Sequence, residues 1–278
     1  MSAISPGQPA SVKVPMRPLS SLIRCWCAAV FTCLAIAAPV LAQTVQPTVA
    51  AASDLKFAVE EVAARFEKET GHKLRLVFGS SGNFKTQILQ NAPFHLFMSA
   101  DEGFVYELAD AGKTVDRGRA YALGRIGVIV PHGSALKADG QLKDLAAAIK
   151  DGRLQKFAIA NPEHAPYGAR AKEALVHAGL WDAVQPKLVL GENISQTAQF
   201  ATSGSTQGGI IALSLALAPS VAKLGTFQFI PEAWHQPLKQ RMVLLKDAPP
   251  AARAFYEYLS TPVAQEIMVR YGFAMPKE

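Results

Sequence analysis

Serines and the residues that open helices carry the chemical signal in this chain. Ser53 ends the apolar run 49–52 and begins a stretch of period near 3.6, with Leu55, Ala58, Val59, Val62, Ala63 and Phe66 on one face and Glu60, Glu61, Arg65, Glu67 and Lys68 on the other. A strand feeding a helix places Ser53 at the N-cap, where its hydroxyl either satisfies a helix N–H or turns outward beside the unpaired amides of the first turn. Ser81, in the turn Gly79-Ser80-Ser81-Gly82, repeats the arrangement after an apolar run at 74–78 and before a helix expected from Asn83. Tyr167, in PEHAPYG at 162–168, and Ile194, after the good N-cap Asn193, open two more helices that follow strands. Such ends attract anions because backbone donors and the helix dipole act together. In an open α/β sheet, ligands bind beyond the carboxyl ends of the strands, so two facing lobes would aim these four junctions into one cleft. Nothing there is cationic. Neutral donors suit a small, fully deprotonated oxyanion, since a protonated ligand would bring a hydrogen with no acceptor to meet it.

Other chemistries find little support. His72, His95, His132, His164, His177 and His235 show neither HxH nor HxxxH spacing, which argues against a zinc site. No GxSxG elbow announces a serine hydrolase, and the glycine-rich segment 204–209 lacks the lysine of a phosphate loop. No catalytic residue and no metal ligand is assigned.

The elements that must hold these junctions alternate. Strands at 49–52, 74–78 and 94–100 are separated by a helix after Ser53 and a short one at 83–91, with a third helix at 102–111. That order implies a parallel sheet with crossover helices. The strand at 125–131 reads as a crossing into a second lobe, which continues with a helix at 142–149, a strand at 156–160, a helix at 166–178, a strand at 188–190, a helix at 194–201 and strands at 208–213 and 227–230. The strand at 242–245 returns to the first lobe, and helices at 253–259 and 263–269 close the chain. The reading is therefore α/β with two lobes: 43–126 and 243–278 form lobe I, and 127–242 form lobe II.

Residues 1–42 stand apart as an export signal. Lys13, Arg17 and Arg24 precede an apolar run at 25–41, and Val40-Leu41-Ala42 fits cleavage after Ala42, with Met16 as an alternative start. Cleavage removes Cys25, Cys27 and Cys33, all the cysteines of the chain, and none of them sits in a lipid-attachment setting. The 28 basic residues lose three against 22 acidic ones, so the formal charge falls from +6 to about +3, with no basic run that would engage nucleic acid.

AASDL at 51–55, FGSSG at 78–82 with the following Gln87, PEHAPYGARAKEAL at 162–175 and FYEYLSTPVAQEIMVRYGF at 255–273 together resemble the periplasmic molybdate-binding proteins that serve ABC transporters. The resemblance covers nearly all of residues 48–273. It implies a type II periplasmic-binding-protein fold, two α/β lobes joined by two crossover segments with a ligand cleft between them. It further implies a monomer in the periplasm that closes over molybdate or tungstate, uses no cofactor and delivers its ligand to a membrane permease. Carried over by position, Ser53 and Ser81 match the family's hydroxyl donors, Tyr167 and Ile194 its main-chain donors, and Asp54 would offer only its N–H, because a carboxylate facing a dianion repels it. The family's tyrosine in a GIVYxSDA segment is Ala212 here, in GIIALSLA at 209–216, so that donor is absent or is replaced by Ser214 or a water. Its PADLF segment reads PFHLF at 93–97, and Asp54 stands where a less charged residue is usual. The alternatives are a binding protein for sulfate or another tetrahedral oxyanion and, more distantly, an exported hydrolase using Ser53 or Ser81 with a histidine.

Overall fold

The computed structural model describes residues 46–276. The expected leader, its cleavage point after Ala42 and the three cysteines lie outside the described residues. Among the described residues, no helix is long and apolar enough to cross a membrane.

The chain opens with strand β1 (Thr48–Ala52), a 3₁₀ turn (Ser53–Leu55), helix α1 (Lys56–Thr70), β2 (Arg75–Gly79), α2 (Ser81–Leu89), β3 (Leu96–Ser99), α3 (Glu102–Asp110) and β4 (Arg119–Gly124). A single residue, Arg125, then separates β4 from β5 (Ile126–Pro131). The next elements are α4 (Lys143–Lys150), β6 (Phe157–Ala160), α5 (Pro166–His177), α6 (Trp181–Val184), β7 (Leu188–Gly191), α7 (Ile194–Thr202), β8 (Gly209–Ala212), α8 (Leu213–Ala216), α9 (Pro219–Ala222) and β9 (Gly225–Phe229). β10 (Leu238–Leu244), α10 (Pro250–Tyr258) and α11 (Pro262–Arg270) complete the fold.

Two five-stranded sheets result, ordered β2-β1-β3-β10-β4 and β7-β6-β8-β5-β9. Within them β1 lies parallel to β2 and β3, and β6 parallel to β7 and β8. Neither sheet is wholly parallel, in contrast to the parallel sheet that the alternating order of elements implies. β10 runs antiparallel to β3 and β4, and β5 antiparallel to β8 and β9. The exceptions are the strands at the two passages between sheets: β5 carries the chain straight out of the first sheet, and β10 returns it there between β3 and β4. β10 begins at Leu238, so the expected boundary after Met242 falls inside a strand of the first sheet.

β4 carries no expectation from the sequence. It starts at an arginine, ends at a glycine and is only partly buried, and its extended form comes from pairing with β10, more than a hundred residues later. β1, β3 and β6 are buried on both faces, which is why they read as unbroken apolar runs. α1 presents Ala58, Val59, Val62 and Phe66 to this core and stops at Gly71, whose φ of 74° is the left-handed conformation a helix terminus favours in glycine.

Candidate functional site

The strand ends of both sheets meet at one small space. It is lined by Ala52, Ser53 and Asp54 after β1, Gly79, Ser80 and Ser81 after β2, Ala100 after β3, Ala165, Pro166 and Tyr167 at the start of α5, and Ile194 at the start of α7, and its volume is about 10 Å³. That is far below the roughly 300–1,000 Å³ of sites for drug-sized ligands and leaves room for nothing larger than a small ion. Ser53, Asp54, Ser81, Tyr167 and Ile194, all singled out from the sequence, are brought together here. Ser214 is not. Its hydroxyl donates to the Asp54 carbonyl at 2.8 Å, which occupies the proton it would have offered a ligand.

The serines do not cap their helices. Ser53 opens the 3₁₀ turn, and Ser81 is the first residue of α2, two residues ahead of the expected start, with Ser80 at the N-cap. Each hydroxyl instead accepts an amide: Ser53 Oγ from Ser195 N at 3.2 Å, and Ser81 Oγ from Ala100 N at 3.0 Å. A hydroxyl has one proton, and with an oxygen lone pair occupied in this way that proton is available to an acceptor in the enclosed space. The amides around it follow the same logic. At the start of α7, Ser195 N is bound to Ser53, Gln196 N to the Asn193 cap at 3.0 Å, and Thr197 N to the Asn193 carbonyl at 3.0 Å. Ile194, Tyr167, Ser53 and Ser81 stand in the first turns of their helices, where a backbone N–H has no acceptor within the helix. Pro166 at the head of α5 has no N–H, so Tyr167 supplies that helix's first donor.

Asp54 belongs to the wall rather than to the donor set. Its Oδ2 accepts from Tyr167 Oη at 2.9 Å and from Gln240 Nε2 at 2.7 Å, and Gln240 Nε2 also reaches Tyr167 Oη at 3.0 Å. Burial pushes the Asp54 carboxyl up to about 6, against the opposing pull of the Gln240 and Tyr167 hydrogen bonds. The Tyr121 and Tyr167 phenols are held well above their ordinary range, first by burial and then by the neighbouring Asp54 charge.

Sequence reasoning missed a second set of contacts at the rim. Ser80 Oγ donates to the His164 carbonyl, Gly82 N donates to the same oxygen at 3.0 Å, and His164 Nδ1 lies 3.0 Å from Ser80 Oγ. Glu192 stands 3.6 Å from His164 Nε2. A serine, a histidine and a carboxylate thus meet, but with the wrong polarity for a nucleophile. The Ser80 proton goes to a carbonyl, so Nδ1 must donate to the hydroxyl rather than take its proton. Neither Ser53 nor Ser81, the serines of the hydrolase alternative, bonds to a histidine. A wider groove over α5, lined by Glu163, Lys172, Glu173, His177 and Trp234 among others, is an open surface in which Lys172 lies over Trp181 and Glu173 pairs with Arg170.

Two mixed α/β sheets that gather uncharged donors around an ion-sized space define a solute-binding protein for a small anion. The model of the family described as bacterial extracellular solute-binding protein matches residues 47–274, and the chain belongs to that family. The molybdate-binding protein ModA of Azotobacter vinelandii is 35% identical over 238 residues, 84% of this chain and 92% of that one. Its namesake in Rhodobacter capsulatus is 36% identical over 229 residues, 81% of this chain and 86% of that one. Among solved structures, the periplasmic molybdate-binding protein of Azotobacter vinelandii superimposes with a TM-score of 0.76 at 30% identity, covering 84% of this chain and all of that one.

Proposed function

We propose that this chain captures molybdate, and tungstate with it, outside the cytoplasm and delivers it to the membrane permease of an ABC transporter. The observation that carries the reading is the pair of serines, Ser53 and Ser81, whose hydroxyl oxygens are occupied by backbone amides so that both protons are left for an acceptor-only ligand. The ligand donors are those two hydroxyls with the amides of Ser53, Ser81, Tyr167 and Ile194. Asp54 contributes at most its N–H. Ala212, at the end of β8, has no hydroxyl, and Ser214 does not stand in for one.

Residues 46–124 with 238–276 form one lobe and residues 126–229 the other, the anion stabilising the closed arrangement by its greater affinity for it. The protein acts as an exported monomer and catalyses no reaction. Relatives that bind molybdate support the ligand class, and the size of the enclosed space supports discrimination by bond length, since sulfate has the same charge and shape with shorter bonds. Thermal unfolding and calorimetry of the chain from Gln43 with molybdate, tungstate, sulfate and phosphate test this. Molybdate at a hundredfold excess over its dissociation constant adds about 2.7 kcal/mol of stability. Sulfate binding as tightly as molybdate refutes the choice of ligand.

A further inference from the structure

We propose that the closed site takes up one proton together with its oxyanion, and that the proton goes to the carboxylate of Asp54. The inference rests on the oxyanion reading above and adds a condition to it. Asp54 follows Ser53 directly, lines the same space and is 1% exposed. Its Oδ2 is held by Tyr167 from α5 and Gln240 from β10, and the backbone N–H groups of Asp54 and Leu55 also favour the carboxylate, while its Oδ1 is buried without a well-aligned hydrogen bond among the described residues. Gln240 Oε1 is likewise buried without a donor. The cluster is short of hydrogens, and a carboxylic acid proton supplies one.

No cation offsets the charge. The titratable groups that face Asp54 are Tyr167 and Tyr121, the latter on β4, and both are neutral phenols. Ser214 on α8 and Ser195 on α7 face its own turn with hydroxyls only. The charged residues on these elements point elsewhere. Lys239 and Arg241, which flank Gln240, reach Glu102; Arg119 on β4 lies over Tyr256; Arg170 on α5 pairs with Glu173; and Lys56 sits over Phe57. A dianion enclosed beside this carboxylate sets like charges together away from water, which favours the neutral acid. Burial has already raised the carboxyl to about 6, so the further rise on binding spans neutral pH.

Linkage fixes the sign. Where the bound form holds one more proton than the free form, affinity falls as pH rises, by up to about tenfold per pH unit, and levels off at acid pH where Asp54 is already neutral. The test is calorimetry with sodium molybdate at about pH 7.5 in phosphate-free buffers of different ionisation enthalpy, on the wild-type chain and on Asp54→Asn. The expected result is a buffer-dependent heat corresponding to uptake of close to one proton in the wild type and none in the variant, whose affinity is also flat with pH. Molybdate binding with a buffer-independent heat in the wild type overturns the inference, as does equal proton uptake by the variant. Absence of any binding overturns the oxyanion reading itself. Should Asp54→Asn not fold, infrared difference spectra of the wild type read the same step: a protonated carboxyl band appears on adding molybdate, and its absence refutes the assignment.

Discussion

Gly82 offers a direct test of how the site closes. A Cβ at this position would lie 2.5 Å from the His164 carbonyl oxygen and 3.0 Å from the His164 Cα. Ordinary C···O contact begins near 3.3 Å, so Gly82→Ala pushes the start of α2 and the 161–165 turn apart by roughly 0.8 Å. Two hydrogen bonds converge on that carbonyl, from Gly82 N and from Ser80 Oγ, and both lengthen. At about 0.5–1.5 kcal/mol each, the closed form loses about 1–3 kcal/mol, a fall of roughly 5- to 150-fold in molybdate affinity. The same substitution replaces glycine by alanine within a helix, which adds up to about 1 kcal/mol to α2 wherever the clash is absent. The expected signature is therefore split. Calorimetry shows weaker binding, while the unfolding temperature of the unliganded chain holds or rises. Wild-type affinity in Gly82→Ala refutes the close approach, and a matching loss of stability without ligand refutes the claim that the clash acts on closure.

Two further expectations follow from the same contacts. Ser53→Ala and Ser81→Ala each remove a charge-assisted donor and weaken molybdate binding by about 1.5–3 kcal/mol, while Ser214→Ala, which touches only the Asp54 carbonyl, weakens it less; titration calorimetry ranks the three, and Ser214→Ala as severe as the others would contradict the geometry. The folded-state carboxyl of Asp54 at about 6, against an ordinary 3.8, makes a contribution to stability that is full below about pH 4 and is lost as pH rises through 6, worth up to about 3 kcal/mol. Denaturant unfolding of the unliganded wild type and Asp54→Asn across pH 4–7 should show the difference moving in favour of the variant by that order, and a pH-independent difference would place the ionised form in a more hydrated setting.

What could be read from the chain divides along sequence distance. Ser53, Ser81, Tyr167 and Ile194 announced themselves because each junction is local: an apolar run stops, a helical period starts, and the residue between them is set at a helix N-terminus. Asn193 is visible as a cap for the same reason, and its side chain does bond Gln196 N. The wall of the site was not legible. Gln240 looks like a stray polar residue in a strand until a register shift beside Arg241 and pairing with β4 turn it inward toward Asp54, 186 residues away. Ser80 and Gly82 read as turn residues, since their partner, the His164 carbonyl, lies in the other half of the chain and a backbone oxygen leaves no trace in composition. For Ser214, local spacing showed where the hydroxyl sits but not that it donates to the Asp54 carbonyl.

The position of β10 between β3 and β4 also governs the order in which the molecule can form. Until residues 238–244 arrive, β3 and β4 have open edges, and every intervening element must be traversed before they are joined. β1, β2 and β3 can pair early, but completion of the first sheet waits on the last part of the chain to be made. A polypeptide stalled before Leu238 exposes adhesive strand margins to its neighbours. The same delay keeps the chain loose until its last strand is made, which suits the export proposed above.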